Sequence, residues 1–395
     1  MMIQAVLGNP NHPEYGVATI PFPIPHDQYA HCIDLLEALE IGDTVKADCK
    51  VEEIDSFFSV LKRTEMLTVN VEELNYLAKR LDSFDTGEAA QFQAMAHKLE
   101  LFELKDLINL TFCCQQATVI TDFSDLAAIG RDHYMNLHGG SASVDELNAL
   151  DGKGTARQLI ESGSGTITPY GVVYDNGMKL EQFYQGREFP CYYYEPNPLT
   201  IALTYKTEPE DTKHITWLHL PMIQEEIDRA IRRASITDPK EIRLRLEDRQ
   251  LPNEVDVLLD MECETLSDLN ELAAATDGLS NADMEKLGAV VTLAEPKSAS
   301  QIKNLAESLD LFDLAPGAHT PEEYGKYMIQ QSGHFDYDEN LDAFYDYEKY
   351  GTERMNAEDG MFTDRGYIAY KGCYSMEEVM NGSQSSHMEM GGLSR

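Results

Sequence analysis

The stretch from Gln331 to Gly360 constrains the fold more than any other. It carries nine carboxylates, Asp336, Asp338, Glu339, Asp342, Asp346, Glu348, Glu353, Glu358 and Asp359, against only two cations, Lys349 and Arg354. Acid at this density opposes compaction, and a purely acidic run stays disordered because it has nothing to bury. Here Phe335, Tyr337, Phe344, Tyr345, Tyr347 and Tyr350 are interleaved with the acids. The rings supply the apolar mass for a fixed scaffold. They are expected to anchor it while the carboxylates face solvent.

The acidity is not confined to that stretch. The formal charge is −38, with 30 acidic and 13 basic residues through Glu195 and 39 and 18 beyond it. A surface like this excludes non-specific binding to nucleic acid and to anionic membranes, and the partners it suits are basic surfaces. At 395 residues with 43% hydrophobic content, the chain is expected to form several domains with real cores. The seven cysteines include no CxxC pair, and their odd number points to reduced, buried thiols. The start, Met1 to Gly16, has no basic n-region, and no apolar run approaches a membrane span. A cytoplasmic protein is expected.

The periodicities predict an α+β chain of small α/β and helical modules. Ile3–Leu7, Val17–Phe22 and Thr44–Val51 read as strands around a helix over His26–Leu39, giving a small ββαβ domain over 1–68. A helical domain over 69–135 follows, with helices at Val71–Leu81, Glu88–Lys98, Leu104–Leu110 and Ser124–Met135, and with Asn70 as an N-cap. Residues 136–212 read as a loop-rich domain with a β-hairpin turning at Asn176-Gly177. A small α/β domain over 213–262, a helical domain over 263–330 and an acidic α+β domain over 331–380 complete the pattern. A flexible tail is expected over 381–395.

The second half echoes the first. Leu74, Asn75, Leu77 and Ala78 recur as Leu269, Asn270, Leu272 and Ala273, at an offset of 195. The same offset joins Asn109-Leu110 to Asn304-Leu305 and Gly130 to Gly325. It also joins Gly165, Thr168, Gly171 and Gly177 to Gly360, Thr363, Gly366 and Gly372. A tandem duplication meeting near residue 200 is expected. The dense acids are not repeated: the positions of Asp336, Asp338 and Asp342 hold Ser141, Ser143 and Leu147.

Carboxylates in this number raise the question of catalysis or metal binding. Asp336-x-Asp338-x-Asn340 begins like a calcium loop but has Leu341 where glycine is needed and Tyr347 where a bidentate Glu is needed. His133 and His138 have no third ligand in sequence. There is no phosphate-binding glycine loop and no nucleophile elbow around Gly163-Ser164-Gly165. No cofactor, no metal and no catalytic residue is expected.

The segment Asp346-Tyr-Glu-Lys-Tyr-Gly-Thr-Glu-Arg354-Met355, followed by Asp359-Gly-Met-Phe362-Thr363, resembles the end of ArdA-type antirestriction proteins. Thr320-Pro-Glu-Glu-Tyr324 resembles the acidic helix start that precedes it there. Trp217-Leu-His-Leu-Pro221, Glu225-Glu-Ile, Glu241-Ile-Arg-Leu, Asp248 and Leu269-Asn-Glu-Leu272-Ala273 follow the family's order. The resemblance covers about residues 213–372, so the chain is read as two tandem copies of an ArdA-like unit, the first matching only through the repeat. Met361 and Asp364-Arg365 depart from the family's charge pattern.

The resemblance implies an elongated, three-part α+β module whose surface carboxylates imitate DNA phosphates. It implies a non-catalytic inhibitor, borne on mobile elements and commonly dimeric. Such a protein occupies the DNA groove formed by the methyltransferase and specificity subunits of type I restriction–modification enzymes. The nine acids of 331–360 are then the phosphate mimics. DNA carries roughly one charge per 1.7 Å of axis, so −38 corresponds to roughly 65 Å or about 19 base pairs. Two other classes are open: an acidic adaptor or chaperone for another basic protein, and a metal-dependent hydrolase using the acids between Asp336 and Asp359. Capture without restriction subunits would favour the first, and stoichiometric tight metal the second.

Overall fold

A computed structural model describes residues 2–209 and 212–382, without the side chains of Pro239 and Asp256. The predicted tail lies outside these residues from 383 onward. The architecture is α+β, built from short antiparallel sheets and segregated helices. The chain divides into two compact units, one of residues 1–194 with 223–239, the other of 195–222 with 240–395.

In the first unit, Ile3–Gly8 pairs antiparallel with both Val17–Phe22 and Cys49–Asp55, and Thr68–Val69 adds an edge. The third strand begins later than its β-propensity suggested. Asp43 accepts the Val45 and Lys46 N–H groups at 2.8 and 2.7 Å, and Asp48 accepts those of Gly42 and Asp43. These Asx-type turns compete with strand pairing over 42–48. Helices Val71–Asp82, Thr86–Lys98 and Leu104–Leu110 follow, and Asn70 caps the first by accepting the Glu73 N–H. One apolar core runs from Ile3 and Phe22 through Leu74, Phe92 and Leu107 to Tyr184. The sheet and the three helices on either side of residue 68 are therefore packed as one body.

The stretch expected to be loop-rich contains helices Val144–Ala149 and Gly152–Glu161. Ser143 and Glu146 form a capping box, and Asp151 caps the second helix by accepting the Gly154 N–H at 3.0 Å. Glycines interrupt the periodicity of the second helix, and the first is six residues long with no buried face to mark it. The Asn176-Gly177 turn forms, with Met178 N–H donating to Asp175 O, but no second strand follows it. Met178 and Leu180 pack on the apolar core instead. The hairpin lies one turn earlier, between Thr166–Thr168 and Gly171–Tyr174, with Thr118–Ile120 on the other side of the latter. Helix Gln224–Arg233 also belongs to this unit. Its Arg229 and Arg233 are buried: Arg229 pairs with Glu72 at 2.6 Å, and Arg233 lies over the Phe189 ring at 4.3 Å.

The second unit repeats the strand pairing and the three-helix succession of the first, with an added helix over Asn253–Leu258. Leu199–Tyr205 pairs with Thr216–Leu220 and Ile242–Arg249, as Ile3–Gly8 pairs with its neighbours, and Leu199 opposes Leu220 as Ile3 opposes Phe22. Helices Leu266–Thr276, Asn281–Ala294 and Ala299–Ala306 stand where the first unit has its three. Strand Gly366–Tyr370 lies between Phe312–Pro316 and Asp359–Thr363, in the order of the earlier three-stranded sheet.

The agreement extends to single contacts, at an offset of 195 for Asn75 and Asn270, Thr168 and Thr363, and Gly130 and Gly325, and of 198 for the partners of the two asparagines. Asn75 accepts the Ile24 N–H at 2.8 Å, and Asn270 accepts that of Met222 at 2.8 Å. Thr168 donates to Gly171 O and Thr363 to Gly366 O, both at 2.8 Å. A Cβ on Gly130 would lie 1.8 Å from Gly152 O, and one on Gly325 would lie 2.0 Å from Tyr347 O.

Four of the thiols, Cys32, Cys49, Cys113 and Cys114, are buried, but Cys191 is half-buried and Cys263 and Cys373 are exposed. Among the described residues, no helix is long and apolar enough to cross a membrane.

Candidate functional site

The acidic stretch is organised by two helices that touch at their backbones. Thr320 caps Pro321–Gln330 by accepting the Glu323 N–H at 3.2 Å, with Pro321 in the first turn. Tyr324 and Met328 on its inner face pack with Tyr367, Ala315 and Ala369 of the sheet. The second helix, Tyr347–Met355, is capped by Asp346, which accepts the Lys349 N–H at 3.1 Å. The helices cross where Gly325 faces Tyr347 O and Gly351 faces Pro321 O, at positions where a Cβ would lie 2.0 and 1.8 Å from those oxygens. Only glycine permits this approach. It fixes Glu348 and Glu353 on the outside of the second helix, where both are exposed.

Between the helices, residues 331–346 are held by a polar cluster rather than by a core. Asp342 Oδ1 accepts hydrogen bonds from Tyr347 Oη at 2.5 Å, Tyr337 Oη at 2.7 Å and Gln330 Nε2 at 2.8 Å. The two tyrosine hydroxyls stabilise the ionised form and hold this carboxyl below its ordinary range. The Tyr345 ring sits 6.0 Å from Tyr337 and 5.8 Å from Tyr347. The expectation that all six rings anchor the scaffold is corrected here. Tyr337, Tyr345, Tyr347 and Tyr350 are half-buried, whereas Phe335 is 50% and Phe344 84% exposed. A tyrosine can close over a carboxylate through its hydroxyl; phenylalanine has no such partner among these acids.

Eight of the nine sequence-predicted acids are exposed, and Glu358 is half-buried. Their roles in the fold differ. Asp338 caps a 3-10 turn over Glu339–Phe344 by accepting the Asn340 N–H at 2.9 Å. Asp346 caps a helix, and Asp342 closes the polar cluster. Glu358 accepts from Tyr324 Oη at 2.6 Å and pairs with Arg354. The side chains of Asp336, Glu339, Glu348, Glu353 and Asp359 have no hydrogen bond or ion pair within the described residues. The acids line the outside of the module and do not converge. Among the described residues, no three His, Cys, Asp or Glu side chains are placed to hold a metal ion. His133 bonds Thr118 and His138 stacks on Tyr134.

Sequence reasoning missed the cation that holds the strands to the helices. Arg365 makes a two-pronged pair with Glu254, at 2.7 and 2.9 Å, and also pairs with Glu285. Its Nε would lie 2.2 Å from a Cβ on Gly288, so this mid-helix glycine makes room for the guanidinium. The signal for it was Gly288 itself, a glycine inside an otherwise apolar helical run. Arg365, an addition to the family-like charge pattern, is thus neutralised internally, and Lys349 is the exposed cation on the acid-bearing helix that has no ion pair among the described residues.

Residues 212–369 match the family model described as antirestriction protein (ArdA). Over these residues the chain is similar to the ArdA family. No curated protein matches the chain at a significant level. The ArdA match opens just before strand Thr216–Leu220 and ends within strand Gly366–Tyr370, so all nine acids fall inside it.

Proposed function

We propose that this protein is a DNA mimic that blocks type I restriction–modification enzymes by occupying the DNA-binding groove of their methyltransferase and specificity subunits. The observation that carries this is the separation of charges in the ArdA-like unit. The cations Arg354 and Arg365 are paired with Glu358, Glu254 and Glu285, while Asp336, Glu339, Glu348, Glu353 and Asp359 stand exposed on a backbone fixed by the Asp342 cluster and the glycine contacts. A basic groove meets a surface that needs little ordering on binding, so association is fast and sensitive to salt. The action is stoichiometric occupation and involves no bond chemistry.

The first unit is a second copy of the same module. The shared strand pairing and the contacts repeated at an offset of 195 support this. In it the dense acids of the second copy are replaced, so the second copy is the one that engages the enzyme.

The test is the restriction of an unmodified plasmid entering cells that carry a type I enzyme. Expression of the protein should raise plasmid recovery toward that of a restriction-deficient strain. Recovery unchanged at a verified high level of soluble protein contradicts the proposal.

A further inference from the structure

The 3-10 turn Glu339–Phe344 has three residues per turn, so side chains three apart lie above one another. One of its faces carries Glu339 and Asp342, another Leu341 and Phe344. The rotation of the turn is fixed on the first face, where Asp342 is gripped by Tyr337, Tyr347 and Gln330. The second face is therefore held outward, with Leu341 48% and Phe344 84% exposed. Exposed carboxylates flank this apolar edge on both sides in sequence, Asp336, Asp338 and Glu339 before it and Asp346 and Glu348 after it. At the offset of 195 the first unit has Glu146 and Ala149 in these places, so the edge belongs to the acid-bearing unit alone.

An exposed benzyl group contributes little to the fold, and its held position is the arrangement of an interface anchor. We propose that Leu341 and Phe344 form the short-range anchor of the acidic surface, seated in an apolar or aromatic recess within the partner's basic groove. This rests on the DNA-groove reading above. The charges commit the partner to a cationic groove, and enzymes that modify a base hold it in such a recess among apolar and aromatic side chains. The carboxylates then govern the approach, and the ring governs residence.

Binding to a purified type I methyltransferase complex tests this, with association and dissociation rates measured at two salt concentrations. Four proteins are compared: the wild type, Phe344→Ala, the double variant Leu341→Ala with Phe344→Ala, and the variant with Asp336, Glu339, Glu348, Glu353 and Asp359 changed to amides. Phe344→Ala should raise the dissociation rate about tenfold, leaving the association rate, its salt dependence and the melting temperature unchanged. The double variant should dissociate faster still. A Phe344→Ala protein that dissociates like the wild type, while the amide variant associates slowly, overturns the anchor and leaves the groove reading intact. A loss confined to the association rate overturns it as well. A wild type that does not bind overturns both.

Discussion

Residues 331–346 of the second unit and 136–151 of the first join matching helices, and they differ in what they do with charge. Asp346 and Asp151 occupy equivalent positions, and each caps the helix that follows it. Asp338 and Ser143 are also equivalent, and each caps the turn or helix at its own place. At the first pair the fold asks for an acid; at the second a neutral hydroxyl serves as well. The remaining positions are more one-sided. Asp336, Glu339, Asp342, Glu348, Glu353, Glu358 and Asp359 stand opposite Ser141, Val144, Leu147, Lys153, Gln158, Gly163 and Ser164. The matching segment of the first unit folds without these acids; of the seven, Asp342 and Glu358 bond within the second unit, whereas Asp336, Glu339, Glu348, Glu353 and Asp359 do not. Under the proposed mimicry, those five face a partner surface.

The comparison breaks first if the shared helix crossing is wrong. Gly325→Val and Gly130→Val each force a side chain into a backbone oxygen and should cost about 3 kcal/mol, seen as a lowered urea midpoint. An unchanged midpoint for either removes the equivalence of the two units.

A smaller loss is expected at Arg365, which only the second unit has. Arg365→Gln should cost about 1–2 kcal/mol at neutral pH, because it leaves the half-buried Glu254 carboxylate without its two-pronged partner. Arg365 holds the Glu254 carboxyl below its ordinary value of 4.5. The contribution is thus complete above that value and lost as pH falls through the lowered one. Wild type and variant should converge in acid; a gap that widens there contradicts the pairing.

Tyr347→Phe acts locally and leaves the charge unchanged. Amide exchange over 332–346 should quicken while global stability stays the same, since one of the three donors to Asp342 is gone. Equal exchange in the two proteins removes Asp342 as the clamp. The smallest effect belongs to Asp338→Ser, which copies the first unit. The cap should survive, exchange should not change, and competition with DNA should weaken only a few-fold through one lost charge. A loosened loop would show that Asp338 is there for the fold.

Much of this arrangement was legible in the sequence because it is local. Asn70, Leu104–Leu110 and the strand Val17–Phe22 follow from capping and periodicity, and the repeat is visible in glycines whose spacing the backbone contacts enforce. The remainder depends on long-range partners. Glu254 and Arg365 lie far apart in sequence, and only the fold joins them. Phe344 was misplaced because a ring in an acidic run reads as core, although the loop is closed by hydroxyls on Asp342 and not by apolar burial. Helix Gly152–Glu161 was hidden by its glycines, of which Gly152 serves a close crossing, and Val144–Ala149 by its shortness and its lack of a buried face.

The measurement closest to the central claim is DNA competition for a purified type I methyltransferase complex. Wild type is compared with the variant in which Asp336, Glu339, Glu348, Glu353 and Asp359 become amides, at two salt concentrations. These side chains take no part in the fold's own bonds, so both proteins should melt alike. The wild type should displace DNA with an affinity that falls as salt rises, and the variant should do so far more weakly and with a shallower dependence. Equal, salt-independent competition by the two proteins would contradict phosphate mimicry by the second unit.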